Sequence, residues 1–523
     1  MADDDASHPS SQYRRDAFKA SAVHNTSAQR RRHLAVAVRK EKREALIRTK
    51  RLCREALFED NKLSPEGDMN IDEEKTVLDA QTSQIVDDLK SALTYHGKGA
   101  AQKKVETLRE LRWLLSRSEV PPVKAALQAG VIPLLVQCFA LGSPDEQLLE
   151  AAWCLTNIAA GEPEETKSLI PALPLLVAHI GEKSSVLIAE QCAWALGNVA
   201  GEGEELRNIL LAQGALLPLA RLMLSNEGSA ARTAAWALSN LIKGPNPKAA
   251  TELIEIKGVL DAIVQHLRKP DDELATEVAW VVVYLSALSE TAIDLMLKSD
   301  VVQLLVVKLA ASESLQLLIP VLRSLGNLVA ADGYMTDKVL IAGNSIADQT
   351  LLGLIKCLKS EHWVLKKEAA WVLSNLAAGS IKHKELIYSS AATPLLIHLL
   401  SNAPFDIRKE AAYTLANLCV APLNDAEQPS IIVHHLSSIV KNGCLPGFVH
   451  LVRSADVQSA RLGLQFLELV MRGMPNGEGP KLVEEEDGID AMERFQFHEN
   501  EEIRIMANGL VDKYFGEDYG LEE

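Results

Sequence analysis

Aromatic residues and asparagines recur four positions apart along this sequence, and their side chains are suited to gripping a ligand. The pairs are Trp153 and Asn157, Trp194 and Asn198, Trp236 and Asn240, Trp371 and Asn375, and Tyr413 and Asn417, with Trp280 and Tyr284, and Arg323 and Asn327, at the two remaining positions. An indole face attracts a cation and packs against the methylenes of Lys or Arg. A primary amide both donates and accepts hydrogen bonds, as a peptide backbone does. The combination predicts binding of an extended, cationic chain.

Acidic residues accompany these positions. They are Glu202, Glu273, Glu277, Glu368 and Glu410. Glu368 and Glu410 each precede an aromatic residue by three positions, about one helical turn. Any one of these carboxylates is typical of a solvated helix surface, but their recurrence beside the aromatic positions favours a role in binding Lys or Arg.

The simplest structural alternative is that the tryptophans fill the core between repeats, as large aromatic residues usually do. The asparagines argue against this alternative, because a buried amide is costly unless all its hydrogen bonds are satisfied. We therefore expect the asparagines on an accessible concave surface, where their amides form a ladder for a peptide backbone.

The aromatic positions are spaced at intervals of 41, 42, 44, 43, 48 and 42 residues, which is typical of helical solenoids with two or three helices per repeat. Prolines precede several of the apolar runs, as suits a first helical turn. They are Pro133, Pro174, Pro218, Pro394 and Pro446. Glycines follow the asparagine and predict left-handed C-caps. These glycines are Gly161, Gly201, Gly244 and Gly379.

Weaker repeats flank this row, around residues 105–139, 457–471 and 486–515. Terminal repeats of a solenoid are atypical because they cap it. The predicted fold is all-α: a right-handed superhelical solenoid of about ten repeats, preceded by a basic, largely disordered arm.

Charge is distributed unevenly over the 523 residues. Residues 1–54 carry fourteen Lys/Arg against six Asp/Glu, or +8, and since the whole chain carries −16, the remainder carries −24. A basic arm on an acidic body indicates a body that attracts basic ligands and an arm that competes for the same surface. The predicted boundaries are a basic segment 1–60, an acidic linker 61–85, a repeat array 86–516 and an acidic tail 517–523.

The seven cysteines are scattered without a C-x-x-C pattern, which indicates reduced core residues of an intracellular protein. No apolar run follows Met1, and no apolar stretch approaches the roughly 18 residues that span a bilayer. We expect neither a secretory signal nor membrane insertion, and the pattern implies no metal and no cofactor.

The fragments Glu190–Glu202, Ala231–Leu241, Arg408–Asn417 and Phe497–Ile503, with the closing Lys513-Tyr514-Phe515-Gly516, resemble the third, fourth, eighth and tenth armadillo repeats of the importin alpha family. The resemblance covers nearly the whole chain. It implies an adaptor that binds Lys/Arg-rich nuclear localisation signals of cargo proteins and links them to importin beta for passage through the nuclear pore.

The resemblance also implies two sites. The major site comprises Trp153, Asn157, Gly161, Thr166, Gln191, Trp194, Asn198, Glu202, Trp236, Asn240 and Glu277. In it, Gly161, Thr166, Gln191 and Glu202 match positions that hold the signal's key lysine. The minor site comprises Trp280, Arg323, Asn327, Trp371, Ser374, Asn375, Glu410, Tyr413 and Asn417.

The basic arm resembles the family's importin-beta-binding segment, which folds back onto the groove when it is free. The matching cations are Arg30, Arg31, Arg32, Arg39, Lys40, Lys42, Arg43, Arg48, Lys50 and Arg51. A tail of this composition could instead be solvated or bind nucleic acid, but an acidic groove downstream disfavours direct nucleic-acid binding. The family further implies release by Ran-GTP, return by a CAS-type export receptor, and shuttling between cytoplasm and nucleus with presence at the nuclear envelope.

Three departures from the family pattern predict a divergent member, of plant type. Tyr413 replaces the usual Trp, so the minor site has a smaller wall and we expect it to bind more weakly. Thr49-Lys50-Arg51 replaces a Lys-Arg-Arg run, which predicts weak self-inhibition. The interval of 48 predicts an insertion near 342–349.

Two other classes of protein were weighed against an import adaptor. A catenin-like armadillo scaffold in signalling or adhesion would explain the solenoid, but it would not explain the basic arm or an acidic groove. An enzyme is disfavoured because the chain contains no H-E-x-x-H, G-x-x-x-x-G-K-[ST] or G-x-S-x-G motif.

Overall fold

A computed structural model of the chain describes residues 71–117, 121–181, 184–331, 333–340, 345–421 and 430–516. The described ranges are helical and contain no β-strand, in agreement with the predicted all-α class. They divide into two compact units, the first ending at Leu295 and the second beginning at Met296.

The helices begin with α1 Ile71–Thr94, α2 Ala100–Arg117, α3 Val123–Gln128, α4 Val131–Cys138, α5 Asp145–Ala159, α6 Pro163–Lys167, α7 Leu173–Ala178, α8 Val186–Glu202, α9 Glu204–Ala212, α10 Leu216–Met223, α11 Gly228–Leu241, α12 Lys248–Glu255, α13 Val259–Arg268 and α14 Asp272–Leu288. The remaining helices are α15 Glu290–Leu297, α16 Val301–Ala311, α17 Leu315–Ala331, α18 Gly333–Leu340, α19 Ser345–Lys359, α20 Trp363–Ala377, α21 Ile381–Tyr388, α22 Ala392–Asn402, α23 Phe405–Leu418, α24 Ser430–Lys441, α25 Leu445–Val452, α26 Val457–Gly473, α27 Gly479–Glu485, α28 Gly488–Glu493 and α29 Glu501–Phe515. Two three-residue 3-10 helices are Ile170–Ala172 and Pro475–Gly477.

The helices follow one another in threes. Repeat 1 consists of α1 and α2, and each later repeat has a short first helix, an outer helix and an inner helix, so that the described residues contain ten inner helices. The inner helix carries the aromatic position. The five prolines lie within the first three residues of the outer helices α4, α7, α10, α22 and α25, where a missing N–H costs nothing. Both the number of repeats and the role of the prolines are confirmed.

The prediction of left-handed C-caps at Gly161, Gly201, Gly244 and Gly379 is wrong. None of the four has a positive φ, and the left-handed glycines include Gly130, Gly214, Gly258 and Gly443, between the short and the outer helix. Gly161 and Gly379 are needed for a different reason. A Cβ atom on Gly161 would lie 2.1 Å from Glu165 Oε2, and one on Gly379 would lie 2.6 Å from His383 Nδ1. Glu165 and His383 cap the short helices that follow.

The array begins earlier than the sequence suggests. Helix α1 starts at Ile71, inside the predicted linker 61–85, and it buries Leu78 and Thr82. The linker boundary is corrected because a solvated linker would not bury these side chains. The predicted arm 1–60 and tail 517–523 lie outside the described residues.

The insertion predicted near 342–349 falls partly outside the described residues. The part within them belongs to α19, which has 15 residues where the outer helices α16 and α22 each have 11. Within the described residues, the outer helix of this repeat is therefore four residues longer than those two.

The six described cysteines are free and buried. Burial raises the pKa of the Cys138 and Cys357 thiols to about 11, so these side chains act as small apolar core residues. Within the described ranges, no single helix is both long and apolar enough to cross a bilayer. The pair formed by α14 and α15, bent by 119°, meets the length and composition criteria together.

Candidate functional site

In the first unit the inner helices α5, α8, α11 and α14 pack against one another in sequence order. We call the face that carries the aromatic and asparagine positions the ladder face. Trp153 is half-buried, Trp194 and Trp236 are 9% and 5% exposed, and Trp280 is 1% exposed. The ladder is therefore more deeply packed than the sequence predicts.

The asparagines connect neighbouring inner helices. Asn198 Nδ2 donates to the backbone carbonyl of Thr156 at 3.4 Å, and Asn240 Nδ2 donates to that of Gly197 at 2.9 Å. Each acceptor immediately precedes the asparagine of the previous repeat. Both asparagines are almost fully buried, so the expectation of solvent-open amides is wrong. Their burial is tolerated because an inter-helix hydrogen bond uses the N–H.

The tryptophans lie on small residues of the preceding inner helix. A Cβ atom on Gly197 would lie 2.2 Å from Trp236 Cζ3, and one on Gly326 would lie 2.0 Å from Trp371 Cζ3. The glycine and the carbonyl acceptor thus belong to the same position, directly before the ladder asparagine. At Gly197 and Gly326 the missing side chain leaves room for the indole of the next repeat. The backbone carbonyl of the same glycine accepts a hydrogen bond from the asparagine of that repeat.

Two buried acceptors of the predicted major site remain without a hydrogen-bond partner. They are Asn198 Oδ1 and Gln191 Oε1, both on α8 and seven residues apart on the same helix face. A buried carbonyl oxygen without a donor is costly. Donors supplied by a ligand, such as a backbone N–H or an ammonium group, would remove that cost.

Of the remaining major-site residues, Gly161, Thr166 and Glu202 lie at or just after the ends of inner helices, and Glu277 lies within α14. Thr166 is fully buried, and its Oγ1 donates to Ala159 O at 3.1 Å and approaches Gly161 O at 3.5 Å. Gly161 and Glu202 are half-buried, while Glu277 is 6% exposed. Carbonyls and a carboxylate near helix C-termini form an environment that favours a cation.

The second unit repeats this arrangement. Asn375 Nδ2 donates to Gly326 O at 3.1 Å, and Asn417 Nδ2 donates to Ser374 O at 3.0 Å. Trp371 and Glu410 are half-buried, while Tyr413 is 9% exposed. Of the residues assigned to the minor site, Trp280 alone belongs to the first unit, where it stacks on Tyr284 with ring centroids 6.2 Å apart.

Arg323 and Glu368 form a buried ion pair. Arg323 donates from Nε at 3.0 Å and from Nη2 at 2.7 Å to Glu368 Oε1, and the two side chains are only 7% and 6% exposed. Glu368 therefore neutralises a cation of its own chain. Its proposed part in binding a ligand Lys or Arg is corrected accordingly.

An Arg–Glu ion pair also involves repeat 1, and the sequence did not reveal it. Arg112 takes the aromatic position on α2, its Nε lies 3.1 Å from Glu150 Oε2, and its guanidinium lies 4.4 Å from the Trp153 ring. Glu150 precedes Trp153 by three residues, as Glu368 precedes Trp371. The repeat spacing locates Arg112, 41 residues before Trp153. In both units an internal Arg–Glu pair therefore precedes the first Trp of the row.

A second residue that sequence reasoning missed is Thr336. It lies nine residues after Asn327, as Thr166 lies nine after Asn157, and it is fully buried on α18. Counting from the ladder asparagine would have found it. The arm cations lie outside the described residues.

Tandem three-helix repeats with a ladder face define an armadillo-repeat protein. The chain matches the Armadillo/beta-catenin-like repeat family over residues 120–160 and 380–420, and the atypical Arm repeat family over residues 481–523. A crystal structure of an engineered protein has the same fold, with a TM-score of 0.70 and 23% identity, covering 83% of this chain and 98% of that one.

Similarity extends over the full length to plant proteins. Importin subunit alpha-9 of Arabidopsis thaliana is 65% identical over 524 residues, and importin subunit alpha-2 of Oryza sativa subsp. japonica is 67% identical over 529 residues, each covering all of both chains. Importin subunit alpha-1b of rice is 30% identical over 79% of this chain and 76% of that one. The chain belongs to the importin alpha family.

Proposed function

We propose that this chain is a nuclear import adaptor whose ladder faces bind Lys/Arg-rich nuclear localisation signals. The observation that carries the proposal is the pair of unpartnered acceptors, Asn198 Oδ1 and Gln191 Oε1, on the face of α8 that also bears Trp194. An extended basic peptide supplies both kinds of group that this face lacks, backbone N–H donors and side-chain cations.

The repeat dimensions fit such a peptide. An extended chain rises roughly 3.3 Å per residue, and packed helices lie roughly 8–10 Å apart. One repeat therefore corresponds to roughly three peptide residues, so side chains enter the ladder in regular steps. Long aliphatic stems with terminal cations suit the spaces beside the indoles.

The sign of the charge favours an adaptor over a catenin-like scaffold. Residues 55–523 carry −24 and the first 54 carry +8. An acidic body attracts basic signals, and a basic arm provides a second ligand for the same surface or a segment for another receptor. We infer that residues 1–60 bind importin beta and that a CAS-type receptor with Ran-GTP returns the adaptor. The chain then shuttles between cytoplasm and nucleus and visits the nuclear envelope, without direct nucleic-acid binding, membrane insertion or catalysis.

The test is a titration of the full chain with a Lys-rich signal peptide, together with a pull-down by importin beta. We expect Trp194→Ala with Asn198→Ala to weaken peptide binding at least tenfold. Trp363→Ala is the matched control, because Trp363 is 57% exposed and lies outside the ladder. Equal affinity of the double variant and the control would refute the proposed site.

The arm is tested separately. A chain lacking residues 1–54 should lose capture by importin beta and keep its affinity for the peptide within a few-fold, because Thr49 removes one cation from the self-inhibitory run. Retained capture would refute the assignment of the arm, and a large gain in peptide affinity would refute weak self-inhibition.

A further inference from the structure

We count nine residues on from each ladder asparagine, or from Tyr284, which takes the place of the asparagine in repeat 5. The residue reached in this way lies on the short helix that follows the inner helix. In the described repeats from repeat 2 to repeat 7, these residues are Thr166, Arg207, Ala249, Ile293, Thr336 and Lys384. Two of them are cations and two are threonines. The charge of the side chain at this position therefore differs from repeat to repeat, although the helices around it recur in each repeat.

Three of these residues donate a hydrogen bond to the backbone carbonyl at the equivalent position of their own repeat. Thr166 Oγ1 donates to Ala159 O at 3.1 Å, Arg207 Nη1 to Ala200 O at 3.4 Å, and Lys384 Nζ to Ala377 O at 2.7 Å. Each acceptor lies seven residues before its donor, in the last turn of an inner helix. Carbonyls there lack intrahelical partners and lie at the negative end of the helix dipole, which makes this place a cation position.

Lys384 fills this position most completely. Its Nζ also donates to Asn417 O at 2.5 Å, so that one amine joins the ends of α20 and α23, and the side chain is 4% exposed. Burial lowers the pKa of Lys384 to about 7. The amine occupies the position in either protonation state, because both NH2 and NH3+ donate hydrogen bonds.

A cation also lies at the end of α8. Lys243 Nζ approaches Gly201 O at 3.4 Å and Asn240 Oδ1 at 3.3 Å and is 8% exposed, next to the position that Arg207 reaches. At the end of α5, by contrast, the chain places the short, neutral Thr166, and half-buried Glu202 follows Asn198 on the next inner helix.

We propose that Lys384 is a specificity-determining residue that closes the cation position between repeats 7 and 8, and that its replacement by Thr creates an additional subsite for a ligand ammonium group there. This inference rests on the proposed binding of Lys-rich peptides. At Arg207 and Lys384 the chain's own cations occupy the position that a ligand lysine would otherwise enter.

The test uses full-length chain carrying Trp194→Ala and Asn198→Ala, so that binding to the second unit is measured. A Lys-rich peptide is titrated calorimetrically into this parent, into its Lys384→Thr variant and into its Lys384→Met variant. We expect Lys384→Thr to raise affinity at least fivefold. Lys384→Met keeps the apolar stem in place and should bind as the parent does. A peptide with norleucine in place of lysine should show no gain.

Equal affinities of the Thr and Met variants would overturn the proposal. If circular dichroism shows that Lys384→Thr does not fold, two substitutions of Thr166 in the otherwise unmodified chain test the proposal instead. Thr166→Lys should weaken peptide binding at least tenfold more than Thr166→Met, since only Lys brings an internal cation to Ala159 O. Equal losses would overturn the proposal, whereas absence of peptide binding to the unmodified chain would refute the proposed function itself.

Discussion

Asn240 on α11 donates a 2.9 Å hydrogen bond from Nδ2 to the backbone carbonyl of Gly197 on α8. The same bond recurs in both units, between Asn198 and Thr156, Asn375 and Gly326, and Asn417 and Ser374. The ladder asparagine is therefore a link between successive repeats. In Asn198 the side-chain oxygen has no partner among the described residues of the chain and is left for a ligand. This relationship makes the ladder face sensitive to changes in packing as well as in charge.

Gly197→Ala should destabilise the first unit. The new Cβ would lie 2.2 Å from Trp236 Cζ3, and the indole, which is 5% exposed, must move. Overpacking of this kind costs about 1–3 kcal/mol, measured by urea unfolding, and should also weaken binding of a Lys-rich peptide. Gly509→Ala is the matched control, since Gly509 lies in the interior of α29 with open space around it. Ala there should stabilise the helix by up to about 1 kcal/mol, and similar effects of the two substitutions would contradict the proposed packing.

Glu368→Gln should destabilise the second unit strongly. The substitution removes the Glu368 charge from the buried pair with the Arg323 guanidinium, which is 7% exposed. Breaking a buried pair on one side costs about 3–5 kcal/mol. The double replacement of Arg323 and Glu368 by Met should recover most of the loss, because neither charge is then buried alone. Chemical denaturation of the three chains measures the difference. A double variant no more stable than Glu368→Gln would show that the pair matters for packing rather than charge.

Lys384 makes stability depend on pH. Its pKa in the folded protein is lowered from 10.5 to about 7 by burial, so between pH 7 and 10.5 the folded state binds fewer protons than the unfolded state. Stability therefore rises with pH through this window, on the order of a few kcal/mol. We expect the free energy of unfolding, relative to that of Lys384→Met, to increase from pH 7 to pH 10. A flat difference would mean that the two carbonyl acceptors keep the amine charged.

Tyr413→Trp should strengthen binding at the second unit. A Trp face attracts a cation more strongly than a Tyr face, with a gain on the order of 0.5–1 kcal/mol, or roughly two- to fivefold in affinity. Titration in the Trp194→Ala, Asn198→Ala chain isolates this site, which should bind more weakly than the first unit's site before the substitution. Trp363→Tyr, on an exposed position, should leave affinity unchanged. No gain from Tyr413→Trp would show that the smaller ring does not limit binding.

Several features of the fold follow from local sequence patterns. The spacing of the aromatic positions predicted the repeats, because a tandem repeat returns at a nearly constant interval along the chain. The prolines predicted the starts of the outer helices, because this signal acts within the first turn of one helix. The glycines were assigned the wrong role, since Gly161 and Gly379 are required by capping side chains that pass over them and not by backbone handedness. The early start at Ile71 was missed because the first turns of α1 carry no armadillo signature.

The sequence by itself determined the helical period, the positions of Trp194, Asn198 and their equivalents, and the opposition of a basic arm to an acidic body. Only the tertiary structure decided which of these groups remain available. Asn240 gives its N–H to a carbonyl 43 residues away, Glu368 binds an arginine 45 residues away, and Lys384 joins two helix ends. A hydrogen bond depends on distances of a few tenths of an ångström between groups far apart in the chain. Packing of successive inner helices sets those distances, and no local pattern records them.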